Sequence, residues 1–317
     1  MGTAPGRVLV TGGAGYLGSL VLARFAARGV PAVSVDLKAP RHTDGDLVTV
    51  TGDIRSLDLA AVIAEHDVRA VVHLAAIVEP PRGMSEADLE AIEVGGTQRV
   101  VDACVAAGVE HLTVTSSGAA YGYLPRNDDR MLTEDETTPG HPDFAYARHK
   151  AAVETLLARA RRRHPGLGQL VLRPGTILGA GTDNQITALF TGRVILGLAG
   201  TDGPFTFIWD EDVAEIIVTG VLGRRTGTYN LAGDGVLTLR DIAAIEGTPV
   251  VTVPPTLVRL GLGALRRLRV GRYGPEQVDF LRHRPVLDNA RLRRDFPGLP
   301  TKSTRETYDI FRAARRG

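Results

Sequence analysis

The run Thr11-Gly12-Gly13-Ala14-Gly15-Tyr16-Leu17-Gly18 follows the apolar segment Val8 to Val10 and precedes Ser19 to Ala23. A strand, a glycine turn and a helix therefore succeed one another near the start of the chain. Gly12, Gly15 and Gly18 space as G-x-x-G-x-x-G, while Gly13, Gly15 and Gly18 also fit G-x-G-x-x-G. Such a turn needs bare backbone. One glycine takes the tight bend, one lets a pyrophosphate reach main-chain N–H groups, and one lets helix and strand pack closely, with the helix N-terminus facing the anion.

Asp36 ends the next apolar segment, Ala32 to Val35, and stands 18 residues beyond Gly18. A carboxylate there accepts from the adenosine ribose 2′-hydroxyl and repels a 2′-phosphate, so NAD is the expected cofactor and NADP the less favoured one. Lys38 and Arg41 follow closely enough to soften that preference.

Bulk properties narrow the class. The chain has 317 residues, a net charge of +1 and 44% hydrophobic residues, as expected of a globular protein of one large or two modest domains. Arg161-Arg162-Arg163 and Arg266-Arg267 lie in helix-like stretches and read as solvated faces or helix C-termini, so no nucleic-acid partner is expected. No apolar run is long enough to span a bilayer and no signal-peptide pattern opens the chain, which predicts a cytoplasmic protein without a membrane partner. Cys104, the one cysteine, sits among Val100, Val101, Val105 and Ala106 and reads as a core thiol. The eight histidines show no ligand spacing, so no metal is proposed.

Strand-like runs recur at Val8 to Val10, Ala32 to Val35, Leu47 to Val50, Val71 to Leu74, Leu112 to Thr115 and Leu170 to Leu172, with helix-like stretches between them. Near-continuous apolar strands alternating with helices predict an α/β fold with a doubly wound, parallel Rossmann-type sheet. Residues 1–174 are expected to form the NAD-binding domain. Residues 175–317 are more Gly- and Pro-punctuated, and predict a smaller C-terminal substrate-binding lobe that is not independent and can return segments to the sheet.

Tyr146-Ala147-Arg148-His149-Lys150 puts a phenol and an amine at i and i+4, on one face of the helix that opens there. A phenol is a poor base near neutral pH, but a close ammonium and a nicotinamide cation stabilise the phenolate and bring proton transfer within reach. Thr115-Ser116-Ser117-Gly118-Ala119-Ala120-Tyr121-Gly122 stands at the end of the fifth strand, where ligands of open parallel sheets bind. A hydroxyl there can bond the substrate oxygen that the phenol protonates.

With these residues the chain resembles the extended short-chain dehydrogenase/reductase family, in its NAD-dependent epimerase/dehydratase branch. The resemblance runs through Thr11 to Gly18, Asp36, Gly52-Asp53-Ile54, His73-Leu74-Ala75-Ala76, Ser116 to Gly122, Tyr146 to Lys150, Leu172-Arg173-Pro174 and Asp212-Val213-Ala214. It implies that Gly12, Gly15, Tyr16, Leu17 and Gly18 cradle the cofactor, that Asp53 and Ile54 meet the adenine, and that Leu74, Ala75 and Ala76 flank the ribose and pyrophosphate. It makes Tyr146 the acid/base. Lys150 would bond the nicotinamide ribose and ease the tyrosine's ionisation, and Ser117 would orient the substrate oxygen, with Ser116 as its rival. Pro174 would sit near the nicotinamide, with Gly175 and Thr176 as the adjoining floor. A homodimer is the state the resemblance implies.

Departures from that family bear on the reaction. Where dehydratases of the branch place acidic residues after the catalytic hydroxyl, this chain has Gly118 and Ala119, which argues against dehydration. Thr176 stands where nucleotide-sugar enzymes often carry asparagine, Phe205 where they carry a diphosphate-gripping arginine, and Glu93 where asparagine is common. Arg193, Arg224 or Arg225 are the candidate replacements for that arginine. Phe205, Phe207, Ile208 and Trp209 read either as an apolar pocket wall or as the core of the lobe, and the loop Glu79 to Ser85 either as a wall of the site or as a rigid connector.

The expected activity is an NAD-dependent hydride transfer between the nicotinamide and a secondary alcohol or ketone carbon, with Ser117, Tyr146 and Lys150 as the catalytic residues. Ser116, Thr176, Phe205 and Trp209 are the candidate substrate contacts. A nucleotide-sugar 4-epimerase, in which the ketone is reduced again from its other face, uses the same residues and is the alternative. A nonenzymatic NAD sensor is the alternative from another class, and the retention of serine, tyrosine and lysine together speaks against it.

Overall fold

Val8 and Val10 point to one face of their strand and Leu9 to the other, and all three are buried, so the first strand needs cover on both sides. The computed structural model, which describes residues 6–41, 44–78, 80–81, 83–183, 186–268 and 274–316, supplies that cover. Seven parallel strands form the central sheet: β1 (Arg7–Thr11), β2 (Ala32–Asp36), β3 (Leu47–Thr51), β4 (Val68–His73), β5 (His111–Thr115), β6 (Gly168–Pro174) and β7 (Gly227–Leu231). Their spatial order is β7-β6-β5-β4-β1-β2-β3. The order reverses between β1 and β4, which opens a crevice beyond their C-terminal ends.

Helices α1 (Tyr16–Ala27), α2 (Leu59–Glu65), α3 (Glu86–Glu90), α4 (Gly96–Ala106), α5 (Ala145–Arg163) and α6 (Asp210–Leu222) flank the sheet. On one face Val21 and Phe25 of α1 and Val213, Ile216 and Ile217 of α6 bury against Val8, Val10, Leu170 and Leu172. On the other, Val62 of α2, Val100 and Cys104 of α4, and Val153 and Leu157 of α5 bury against Leu9, Val71 and Leu112. Cys104 is a core thiol, and burial pushes its pKa up to about 12.

Residues 210–231 thus return from the second segment to the main sheet, and α6 is tied to α1 by ion pairs of Arg24 with Glu211 and Glu215. The rest of that segment forms a lobe of short strand pairs, Thr176–Leu178 with Phe207–Trp209 and Ile195–Leu198 with Val250–Val253, and of helices that include Leu239–Glu246, Pro255–Arg267 and Thr304–Arg316. Its apolar core gathers Phe190, Phe205, Phe207, Ile242, Tyr308 and Phe311. Among the described residues no helix is long and apolar enough to cross a membrane.

Candidate active site

At the end of β1 the chain turns through Gly12 with φ of 74°, and Gly15 N–H bonds Gly12 O at 3.0 Å. A Cβ on Gly12 would lie 2.7 Å from Ala75 N, and one on Gly18 would lie 2.1 Å from Gly12 O, so neither position admits a side chain without moving the backbone. Helix α1 begins at Tyr16, with Gly15 as N-cap and no side-chain cap, which leaves its first N–H groups open to an anion. Asp36 Oδ2 accepts from Ala14 N–H at 3.0 Å and fixes the turn from the end of β2. Bare backbone, an uncapped helix end and a carboxylate at the second strand end fit a dinucleotide.

A cavity of about 560 Å³ opens at this crevice, and Gly12, Gly15, Tyr16, Leu17 and Gly18 belong to its lining. Leu74 and Ala76, after β4, line its side. Ser117, Tyr146, Lys150, Pro174 and Thr176 are in the lining of the same cavity. Tyr16 bonds Asp210 at the start of α6, and burial together with that carboxylate pushes its phenol up to about 12.

Tyr146 and Lys150 project from the first turns of α5 on one face, with Lys150 Nζ 5.5 Å from the Tyr146 ring centroid. Ser117 follows β5 and caps a short 3-10 turn, Gly118–Tyr121, by accepting from Ala119 N–H at 3.1 Å. Lys150 is 4% exposed and its Nζ lies 2.9 Å from Glu93 Oε2, in an ion pair closed to solvent. Burial alone would push the Lys150 ammonium down in pKa, but Glu93, Tyr146 and Glu154 outweigh it and the net shift is upward.

A second buried pair lies one helical turn further along α5. Glu154 accepts from Arg173 Nε at 2.8 and 3.0 Å and from the Ser116 hydroxyl at 2.7 Å. Arg173 also donates to Tyr121 Oη at 2.7 Å, and Tyr121 in turn donates to Asn230 Oδ1 at 2.8 Å. This network joins α5, β6, β7 and the 3-10 turn, so the segment bearing Ser117 is held against the helix bearing Tyr146.

One more cation lines the cavity. Arg284 is 7% exposed, its Nε and Nη2 have no hydrogen-bond partner, and its guanidinium lies between the rings of Phe205 and Phe280. Burial pushes its pKa down to about 9, which leaves it charged at neutral pH. Tyr123, also in the lining, lies close enough to Arg284 and Tyr146 to interact electrostatically with both.

A description of the NAD dependent epimerase/dehydratase family matches residues 8–231. The chain belongs to that family. A UDP-glucose 4-epimerase of Azospirillum brasilense is 35% identical to it over 252 residues, covering 71% of each chain. An uncharacterized protein of Mycobacterium tuberculosis is 27% identical over 318 residues, covering 97% of this chain and 83% of its own. The Thermus thermophilus UDP-glucose 4-epimerase in complex with NAD superposes with a TM-score of 0.70 at 26% identity, covering 97% of this chain and 99% of that one.

In this member of the epimerase/dehydratase family the candidate residues are divided between the cavity lining and the packing around it. Phe205 is 1% exposed in the core of the lobe, where packing among Phe190, Phe207 and Tyr308 holds it, and only its face meets Arg284. Trp209 is half-buried beside Lys302 and outside the cavity lining. Ser116 faces the cavity but commits its hydroxyl to Glu154.

Arg193, Arg224 and Arg225 do not reach the cavity. Arg193 is exposed, Arg224 pairs with Glu110, and Arg225 packs over Phe296. Arg284 is the arginine that the cavity lining does contain, and in sequence nothing distinguishes it from its neighbours. Asp36, Asp53, Ile54 and Ala75 lie outside the lining. Asp53 pairs with Arg55, which holds its carboxyl below the usual range, and Ile54 packs into the core. In the loop 79–85, Glu79 and Arg82 lie outside the described residues.

Proposed function

We propose that this chain is an NAD-dependent enzyme transferring a hydride between the nicotinamide and a secondary alcohol or ketone carbon, with Tyr146 as acid/base. The observation that carries this reading is the meeting of a glycine turn with Ser117, Tyr146 and Lys150 in one cavity. NAD, when bound, supplies the hydride acceptor. In the oxidising direction Tyr146 Oη takes the hydroxyl proton of the substrate, Ser117 Oγ bonds the same oxygen, and the carbonyl forms as the carbinol hydride leaves. Lys150 stabilises the phenolate and bonds the cofactor ribose. Positioned proton transfer of this kind is worth about 10²–10⁴-fold in rate.

A second reading rests on Arg284. An unpartnered buried guanidinium in the lining favours a substrate with an anionic group, since a charge-assisted bond there would satisfy donors that now have none. That favours a nucleotide-sugar 4-epimerase over a dehydrogenase of simple ketones, in keeping with the relatives named UDP-glucose 4-epimerase. Gly118 and Ala119 offer no side chain for elimination, so dehydration is not proposed.

The experiment has two arms. Thermal shift with NAD and a panel of nucleotide sugars and simple ketones identifies the substrate, a ligand at about 100 times its Kd adding about 2.7 kcal/mol. Tyr146→Phe is then expected to abolish turnover while keeping NAD affinity. Unchanged turnover in that variant overturns the catalytic assignment.

A further inference from the structure

Helix α3 starts with a capping box, Ser85 with Asp88, and its path should continue straight into α4. Between them Ala91–Gly95 widens into a π-turn. One residue more than an α-turn is accommodated there, and such bulges re-aim side chains. Glu93 sits in the middle of it, 3% exposed. Its carbonyl accepts from the Thr97 hydroxyl at 2.6 Å, its Oε1 from Ile77 N–H at 2.6 Å, and its Oε2 faces Lys150 Nζ at 2.9 Å.

Glu93 therefore bridges two parts of the cavity wall. Ile77 lies between Ala76 and Val78, both in the lining after β4, and Lys150 is in the lining as well. The charged and titratable groups around Lys150 are Glu93 from the π-turn, Tyr146 and Glu154 from its own helix, and His73 from β4. Glu154 is already matched by Arg173. Glu93 is thus the carboxylate left to match Lys150. Neither ion of a pair this deeply buried tolerates loss of the other without a large penalty.

We propose that Glu93 is a positioning residue of the cofactor site: it keeps Lys150 in the ammonium form and fixes its place relative to the strand-end loop at Ile77. The proposal rests on the reading of Lys150 as a cofactor-binding residue. It implies that NAD affinity is insensitive to pH through the mildly alkaline range, because the lysine stays charged. In Glu93→Gln the counter-charge is gone, burial pushes the ammonium down, and the lysine loses its proton as pH rises.

The test is NAD affinity as a function of pH, by calorimetry or fluorescence, from about pH 7 to about pH 9.5, bracketing the fall of a lysine shifted by one or more tenfold steps. The native chain is expected to give a flat profile. Glu93→Gln is expected to lose at least about tenfold in affinity across that range, one unit of pKa being tenfold, and Glu93→Asp to restore the flat profile. A flat Glu93→Gln profile at native affinity overturns the proposal, whereas a native chain that binds no NAD overturns the proposed function itself. Should Glu93→Gln fail to fold, the double variant with Lys150→Met, which removes both charges, is expected to fold. A double variant no more stable than the single one overturns the pairing.

Discussion

The guanidinium carbon of Arg284 stands 3.7 Å from the ring centroid of Phe205 and 4.1 Å from that of Phe280. Two aromatic faces hold the cation without satisfying its donors, so it is placed for a ligand without being neutralised. Arg284→Met keeps the apolar stem and removes the charge. It is expected to weaken an anionic substrate by about 10–150-fold, the equivalent of about 1.5–3 kcal/mol for a charged hydrogen bond, and to leave NAD affinity unchanged. Substrate and NAD titrations of the purified variant separate the two.

Gly18 is where α1 and the turn approach closest. The Cβ of Gly18→Ala would meet Gly12 O and Gly13 Cα, at 2.1 and 2.8 Å, and both are backbone. Overpacking of this kind costs about 1–3 kcal/mol. The turn must shift to accept the methyl, and NAD titration is expected to show a loss of affinity larger than the loss of stability. Native affinity in Gly18→Ala would contradict the role given to the turn.

Glu154→Gln tests the second buried pair. It leaves Arg173 buried without its counter-ion and is expected to cost about 3–5 kcal/mol in urea unfolding at neutral pH. Replacing both residues by apolar ones of similar size should recover most of that loss. A single variant within about 1 kcal/mol of the native chain, the range of an exposed pair, would mean that the network contributes little.

His73 reports on protonation in the core. Burial foremost, then Lys150, lowers its pKa to about 4, against the partial opposition of Glu93. Its Nδ1 lies 2.7 Å from Thr11 Oγ1 and its Nε2 3.1 Å from Thr97 Oγ1. Below the ordinary histidine range near 6.5 the unfolded chain takes up a proton that the folded one refuses. Its contribution is therefore fully present above about pH 6.5 and is lost as pH falls toward about 4, with a slope of up to about 1.4 kcal/mol per pH unit. Unfolding free energies of the native chain and His73→Gln at several pH values should diverge in that window. Parallel curves would sink the assignment.

Most of the sheet was legible because strands such as Val8 to Val10 and Leu112 to Thr115 are short, buried on both faces and followed by a helix, so they can fill one kind of place only. Ser117, Tyr146 and Lys150 were legible for a related reason: parallel strands deliver their C-terminal ends to one edge, and i, i+4 spacing fixes one helix face. Phe205 and Trp209 were not, since an aromatic residue in a small lobe serves a core as readily as a wall. Arg284 was hidden because its place depends on a chain segment returning from far along the sequence. Glu93 was visible as a departure from the family's asparagine, yet its partner was not, because the π-turn that aims it leaves no mark in composition or periodicity.

That turn also sets how the chain tolerates changes of length. Residues on either side of Ala91–Gly95 are helical, and a loss of one residue there would look harmless in sequence. Each residue advances an α-helix by about 100°. With Val100 and Cys104 locked into the sheet's core, a one-residue deletion would swing Glu93 by that angle away from Lys150 and leave the helix otherwise intact. The extra residue works as a phase shifter: one continuous rod serves the core at one end and the cavity at the other, and its length in residues matters as much as their identity.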